Sequence, residues 1–194
     1  GWDNTKKLIN IYGIASAISN MHSHNILHCC LSPSNVYLDE ILCPKIGDFG
    51  LFTKLTNSND LVHQSMSGTK GTPIYTAPEV LESSVYTKAS DVYSFALVVY
   101  EILSNEKPFI EIENISLIYK KIVTNAERPK MNDSIPNRFK KLIEDCWAQN
   151  PNERLDFNEI VYQLKMDEDF ISNDVNKEDY EKYINFIESK TITE

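Results

Sequence analysis

Residues 28–50 read HCCLSPSNVYLDEILCPKIGDFG, and the rest of the chain is read outward from them. The run closes on Asp48-Phe49-Gly50, an Asp-x-Gly turn, and Asn35 stands thirteen positions before Asp48. An asparagine at such a place closes a loop as an Asx-turn residue. Residues 35–38 and 44–47 bracket a short hairpin, with 38–43 as its turn region. The adjacent Cys29-Cys30 pair reads mainly as two small residues. A redox pair is the rival reading, but neighbouring cysteines form a strained disulfide at best.

These motifs, in this order and with a short strand-like spacer, resemble the catalytic and magnesium loops of the protein-kinase family, where H-R-D-L-x-x-x-N precedes D-F-G. The resemblance implies a mainly α fold, the helical C-lobe of a kinase with a short β-hairpin and an activation segment. It implies ATP and Mg2+ as cofactors. Asp48 and Asn35 fall on the family's two magnesium ligands, and a hard cation takes such oxygen ligands. Tyr37 falls on a leucine that lies under the adenine ring, where a phenol narrows the floor. His28 and Phe49 fall on the lower half of the hydrophobic column that joins the two kinase lobes, and Gly50 completes the D-F-G turn.

Three positions of the catalytic loop that handle the proton and phosphates depart from the family pattern. Cys30 stands for the aspartate that takes the substrate hydroxyl's proton. A thiol is neutral below a pKa of about 8.5 and orients a hydroxyl poorly. Ser32 stands for the lysine that neutralises the transferring phosphoryl group. Cys29 stands for the arginine that receives an activating phosphate, so phosphorylation of Ser65, Ser67 or Thr69 has a less obvious acceptor.

Downstream, residues 51–70 are polar, rich in Ser, Thr and Asn, and read as a loop. Gly71-Thr72-Pro73-Ile74-Tyr75-Thr76-Ala77-Pro78-Glu79 resembles the end of the activation segment, with A-P-E intact. Its Gly-Thr-Pro is nearer the Ser/Thr-specific pattern. Thr72 falls on the threonine that bridges the family's aspartate and lysine, both replaced here. The resemblance pairs Glu79 with Arg154, a clamp of the activation segment onto the lobe. Leu155 replaces the proline that usually follows that arginine.

Upstream, Leu8, Ile11, Ala15 and Ile18, continued by Met21, predict a helix over 4–24. IYGIASAISNMHSHNILH is similar to the corresponding helix of the tyrosine kinase-like branch. Residues 91–103 are apolar on nearly all faces, which predicts a central core helix, with Asp91 as the carboxylate at its N-terminus. Residues 113–125, 136–149 and 156–165 predict three more helices. Asn150–Arg154 reads as a turn, and Trp147 matches the family's tryptophan. The kinase-like portion is assigned to 4–165. The acidic stretch 166–194 reads as a solvated end, with an interaction element as the rival reading, and one short helix is suggested by Tyr180, Tyr183, Ile184 and Ile187.

The chain has 194 residues, enough for one compact domain, and a formal net charge of −9. That charge argues against nucleic acid or an anionic membrane surface as main partner. No run of about 18 apolar residues predicts a membrane span. No signal-peptide pattern is read at the start. Cys29, Cys30, Cys43 and Cys146 show neither zinc-ligand spacing nor a disulfide framework, which suits a reducing, cytoplasmic setting. No Gly-rich phosphate loop occurs, and no run of strands precedes residue 4, so the small kinase lobe is expected to be absent.

Intact scaffold positions beside altered proton-handling positions lead to the expectation of a pseudokinase-type module that binds signalling proteins. One alternative is an active or residually active Ser/Thr kinase whose small lobe lies upstream. The other is an incomplete remnant with exposed apolar surface near His28, Phe49 and Leu51. The sequence leaves oligomeric state open.

Overall fold

The computed structural model describes residues 2–47, 53–55, 62–63, 73–112 and 114–191. Asp48, Phe49, Gly50, Ser65, Ser67, Thr69 and Thr72, all singled out above, lie outside the described residues.

The first helix, α1, runs Asn4–Ser23. The Asp3 side chain starts it by accepting the Lys6 amide at 2.9 Å, an N-cap. The expected face of Leu8, Ile11, Ala15 and Ile18 is buried. Ile9, Tyr12 and Ile14 are buried too, so α1 is covered on more than the one face its periodicity suggested. The cover comes from neighbours that sequence period cannot reveal, described below.

The chain then forms β1 (Ile26–Leu27) and a 3-10 turn, Pro33–Asn35. The hairpin follows as β2 (Val36–Leu38) and β3 (Pro44–Ile46), antiparallel with Val36 opposite Ile46 and Leu38 opposite Pro44. Asp39 builds its turn, taking the amides of Ile41 and Cys43 at 3.1 and 2.8 Å. In the segment beyond, β4 (Thr53–Lys54) pairs with β1, and β5 (Val62–His63) pairs with β6 (Val85–Tyr86). Between them lies α2, Pro78–Ser83, with proline in its first turn.

The central helix, α3, spans Lys88–Ser104. Phe95, Leu97, Val98 and Val99 are all at most 1 % exposed, as expected of a helix apolar on all sides. It begins three residues before Asp91. Ser90 folds its hydroxyl back to the Thr87 amide at 3.1 Å and to the Thr87 carbonyl at 2.7 Å. Asn105, at φ 58°, ends it. Asp91 thus stands in the first turn, the expected N-terminal carboxylate, and its oxygens reach beyond the helix.

The helix expected over 113–125 is shorter. It is α4 (Ile115–Tyr119), followed by a wide π-type turn over Lys120–Thr124. Next come α5 (Asn137–Cys146), a 3-10 turn at Pro151–Glu153, and α6 (Phe157–Met166). Asp156 caps α6 through the Glu159 amide at 2.9 Å. The architecture is mainly α, a helical lobe with short two-stranded ribbons.

The acidic C-terminal stretch is not a solvated end. Phe170, Tyr180 and Ile184 are 2, 1 and 5 % exposed. The last helix, α7 (Lys177–Thr191), lies on α1, with the Tyr180 ring edge-on to Tyr12 at 5.8 Å. Charge dominates the composition here, but the aromatic residues at helical spacing set the placement. Among the described residues, no helix is long and apolar enough to cross a membrane.

Candidate functional site

Asp91 is the anchor from which the site is built. From the first turn of α3 its Oδ2 accepts the His28 amide and its Oδ1 the Cys29 amide, each at 2.9 Å. His22, near the end of α1, brings Nε2 to within 2.9 Å of the same Oδ2. One carboxylate thus joins α1, α3 and the loop. Cys29 takes a left-handed φ of 65°, which costs a β-carbon-bearing residue energy unless its surroundings hold it. Here the bond from its amide to Asp91 holds it.

The loop closes on itself. Asn35 Nδ2 donates to the Cys30 carbonyl at 2.8 Å, and the Asn35 amide to the Ser32 carbonyl at 3.0 Å. The Gly47 amide donates to the Asn35 carbonyl at 2.9 Å. His28 bridges both sides, with Nδ1 3.3 Å from the Cys30 amide and Nε2 3.2 Å from the Gly47 carbonyl. That pattern suits an imidazole carrying its proton on Nε2. His28, Cys30, Ser32 and Asn35 are thereby brought together.

Cys30 is buried, with Sγ 3.6 Å from His28 Nδ1. Ser32 is buried also, and its hydroxyl pairs with that of Ser34 at 2.8 Å. No carboxylate stands at 30 and no cation at 32. Burial pushes the Cys29 thiol well above the ordinary cysteine range, and the charge of Asp91 and nearby Cys30 push the same way. A neutral Cys29 thiol is a poor nucleophile. All four cysteines are thiols, so the redox reading of the pair gains nothing from the fold.

Tyr37 is 57 % exposed. Its ring lies against Gly47, where a Cβ would come within 2.5 Å of Tyr37 Cε2. Only a glycine allows that approach.

The described half of the implied metal-ligand set fits a hard cation. Asn35 spends its amide nitrogen on Cys30, which leaves the carbonyl oxygen as its acceptor end. Asp48 lies outside the described residues, and among the described residues no group of three or more His, Cys, Asp or Glu is arranged to hold a metal ion.

Glu79, on α2, and Arg154, after α5, meet in a two-pronged ion pair at 2.7 and 2.8 Å. The Arg154 side chain is fully buried. It also donates to the carbonyls of Ala89 at 2.8 Å and Ala148 at 2.9 Å. The Tyr93 ring lies between Arg154 and Arg128, 5.1 Å from each guanidinium. Its buried hydroxyl has no hydrogen-bond partner among the described residues, and burial pushes it up to about 12 against the pull of both arginines. Tyr93→Phe removes only that hydroxyl, so it is expected to be neutral or to stabilise by up to about 1 kcal/mol. A clear fall in melting temperature would contradict this.

Sequence reasoning missed His22, Tyr93 and the true role of Asp91. His22 precedes the motif by six residues and carries no signature of its own. Asp91→Asn is expected to destabilise by about 2–4 kcal/mol, because one or two buried donors lose an acceptor at roughly 1–3 kcal/mol each. Urea unfolding measures this, and a midpoint unchanged from the parent would refute it.

A loop strapped to a buried central helix, beside a hairpin that ends at D-F-G, defines a kinase-type helical lobe. Residues 3–164 match the family described as protein tyrosine and serine/threonine kinase. The chain belongs to the protein kinase family. It is similar to the dual specificity protein kinase shkE of Dictyostelium discoideum, 37% identical over 140 residues, which is 72% of this chain and 19% of that protein. It is similar to shkA of the same organism, also named a dual specificity protein kinase, at 35% over 147 residues, 75% of this chain and 28% of that protein. A putative serine/threonine-protein kinase/receptor, R831, of Acanthamoeba polyphaga mimivirus is 34% identical over 162 residues, 82% of this chain and 10% of that protein. The chain spans less than a third of the length of each of these relatives.

Proposed function

We propose that this chain is the C-lobe portion of a catalytically impaired kinase of the tyrosine kinase-like branch, acting as a binding module for signalling proteins. One observation carries the reading. The loop keeps its full set of bonds to Asp91 and Asn35, while its proton-accepting position holds the buried thiol Cys30. A frame can persist without its chemistry because backbone amides, not the side chains at 30 and 32, make those bonds. Losing the base costs about 10²–10⁴ in rate. Asn35 and Asp48 would hold Mg2+ and position nucleotide phosphates, with Tyr37 under the base. Glu79 and Arg154 clamp the activation segment, and the kinase-like portion is assigned to 4–165.

A second reading, residual protein phosphorylation, draws support from Asn35 and D-F-G and from relatives named as kinases. The test uses the full-length polypeptide that carries these residues, labelled ATP and a generic protein substrate. No phosphate transfer that depends on Asp48 is expected. Steady transfer, abolished by Asp48→Ala, would establish the second reading.

A further inference from the structure

The family match ends at residue 164, yet the ordered chain continues as a strap around the lobe. Leaving α6, Asp167 pairs with Arg138 of α5 at 2.6 Å. Phe170 then packs edge-on to Phe139 at 4.8 Å, with the Arg138 guanidinium 4.4 Å over its ring. Near the start of α1, Asp174 accepts from Asn4, and the Asn176 amide donates to Thr5 Oγ1 at 2.8 Å. Then α7 turns along α1. Tyr180 donates its buried hydroxyl to the Leu164 carbonyl at 2.9 Å. Tyr183, 8 % exposed, sets its ring 6.4 Å from Tyr12.

At Gly13 three elements converge. A Cβ there would collide with the Tyr183 hydroxyl and would stand 2.6 Å from Pro44 Cγ. Pro44 begins β3 and faces Leu38 across the hairpin. The hairpin's other end holds Asn35 through the Gly47 amide. Burial raises the Tyr183 phenol above its ordinary range, and Cys43 and Asp39 of the hairpin turn add to the rise. The same tyrosine therefore faces α1, Pro44 and the Asp39 turn. The charged group acting on it is Asp39 of the hairpin turn.

We propose that residues 166–191 are an intramolecular strap, and that Tyr183, whose hydroxyl shares the open face of Gly13 with the Pro44 ring, couples α7 to the hairpin next to Asn35. Release of α7 loosens the hairpin, so a partner that takes hold of α7 acts on the site from behind. The coupling needs no phosphoryl transfer and is tested without nucleotide, so its failure is separate from failure of the functional reading.

Local opening is read by amide hydrogen exchange on the full chain. Tyr183→Leu keeps an apolar contact on α1 but is too short to reach the Gly13 face that Pro44 shares. It is expected to speed exchange in both 36–46 and 180–187 by roughly tenfold or more, with α3 unchanged. Tyr162→Leu, which alters an exposed tyrosine on α6, is expected to leave the hairpin as it was. Faster exchange confined to α7, or uniform acceleration that includes α3, would overturn the coupling. Should Tyr183→Leu fail to fold, the parent protein in sub-denaturing urea decides. Hairpin and α7 amides opening along one shared urea dependence support the strap, and α7 opening while the hairpin stays protected overturns it.

Discussion

Cys30→Asp combined with Ser32→Lys is expected to raise ATP-dependent protein phosphorylation by the full-length polypeptide by about 10²–10⁴-fold. The aspartate would supply the missing base. The lysine would supply a transition-state donor, worth roughly 10²–10³. The two do not simply multiply, because both act on one step. The geometry favours the first change. The Cys30 carbonyl and amide are held by Asn35 and His28, so a new side chain at 30 inherits a fixed backbone. The second change must break the Ser32–Ser34 hydroxyl pair and lead a longer chain out of a buried position. Cys30→Asp by itself is therefore expected to give the larger share. Initial rates of phosphate incorporation measure the gain, with Asp48→Ala in the doubly altered protein as the blank. Parent activity already at the level of the double variant would refute the idea that the loop is chemically impaired.

Arg154→Ala is expected to cost about 3–5 kcal/mol, the usual cost of breaking a buried ion pair from one side. For a domain of this size that lowers Tm by roughly 6–20 °C. The two partners differ. The Arg154 side chain is fully buried, whereas that of Glu79 is 19 % exposed. Removing Arg154 leaves the carbonyls of Ala89 and Ala148 without their donor, empties the space beside Tyr93, and lets Glu79 turn to water. Removing Glu79 leaves Arg154 its carbonyl acceptors and its stacking on Tyr93. Glu79→Ala is thus expected to cost less than Arg154→Ala. Arg154→Lys is expected to recover only a minor part, since one ammonium cannot span two carboxylate oxygens. Thermal melts of the single variants, completed by the double variant as a cycle, isolate the pair energy. A loss below 1 kcal/mol for Arg154→Ala would mean that the clamp does not carry the fold.

Much of the fold was legible from local pattern. The spacing of Leu8, Ile11, Ala15 and Ile18 placed α1 within one residue of its end, and the mostly apolar stretch from Val92 to Leu103 placed the core helix. The residues bracketing 38–43 placed the hairpin. The loop residues of the candidate site were legible as a motif, although what they do chemically rests on the proposed reading. Local rules put Asp91 at the start of the core helix but not with its partners. Nothing near it in sequence announces amides 63 and 62 positions away. The acidic tail was misread for a related reason. Its net charge is visible in composition, but Phe170 and Tyr180 bury themselves against partners that composition does not name.

By itself, the sequence determined where the helices α1, α3, α5 and α6 fall, where the hairpin lies, and that positions 30 and 32 carry neither carboxylate nor cation. Each of these is a property of residue type or of short-range spacing. Tertiary structure alone decided that Asp91 straps the loop to α3 and α1, that Arg154 is desolvated around Glu79, and that Gly13 admits Tyr183 beside Pro44. These depend on where side chains meet across long stretches of chain. There, unsatisfied buried donors and close packing choose the partner, and neither has a period that can be read along the sequence.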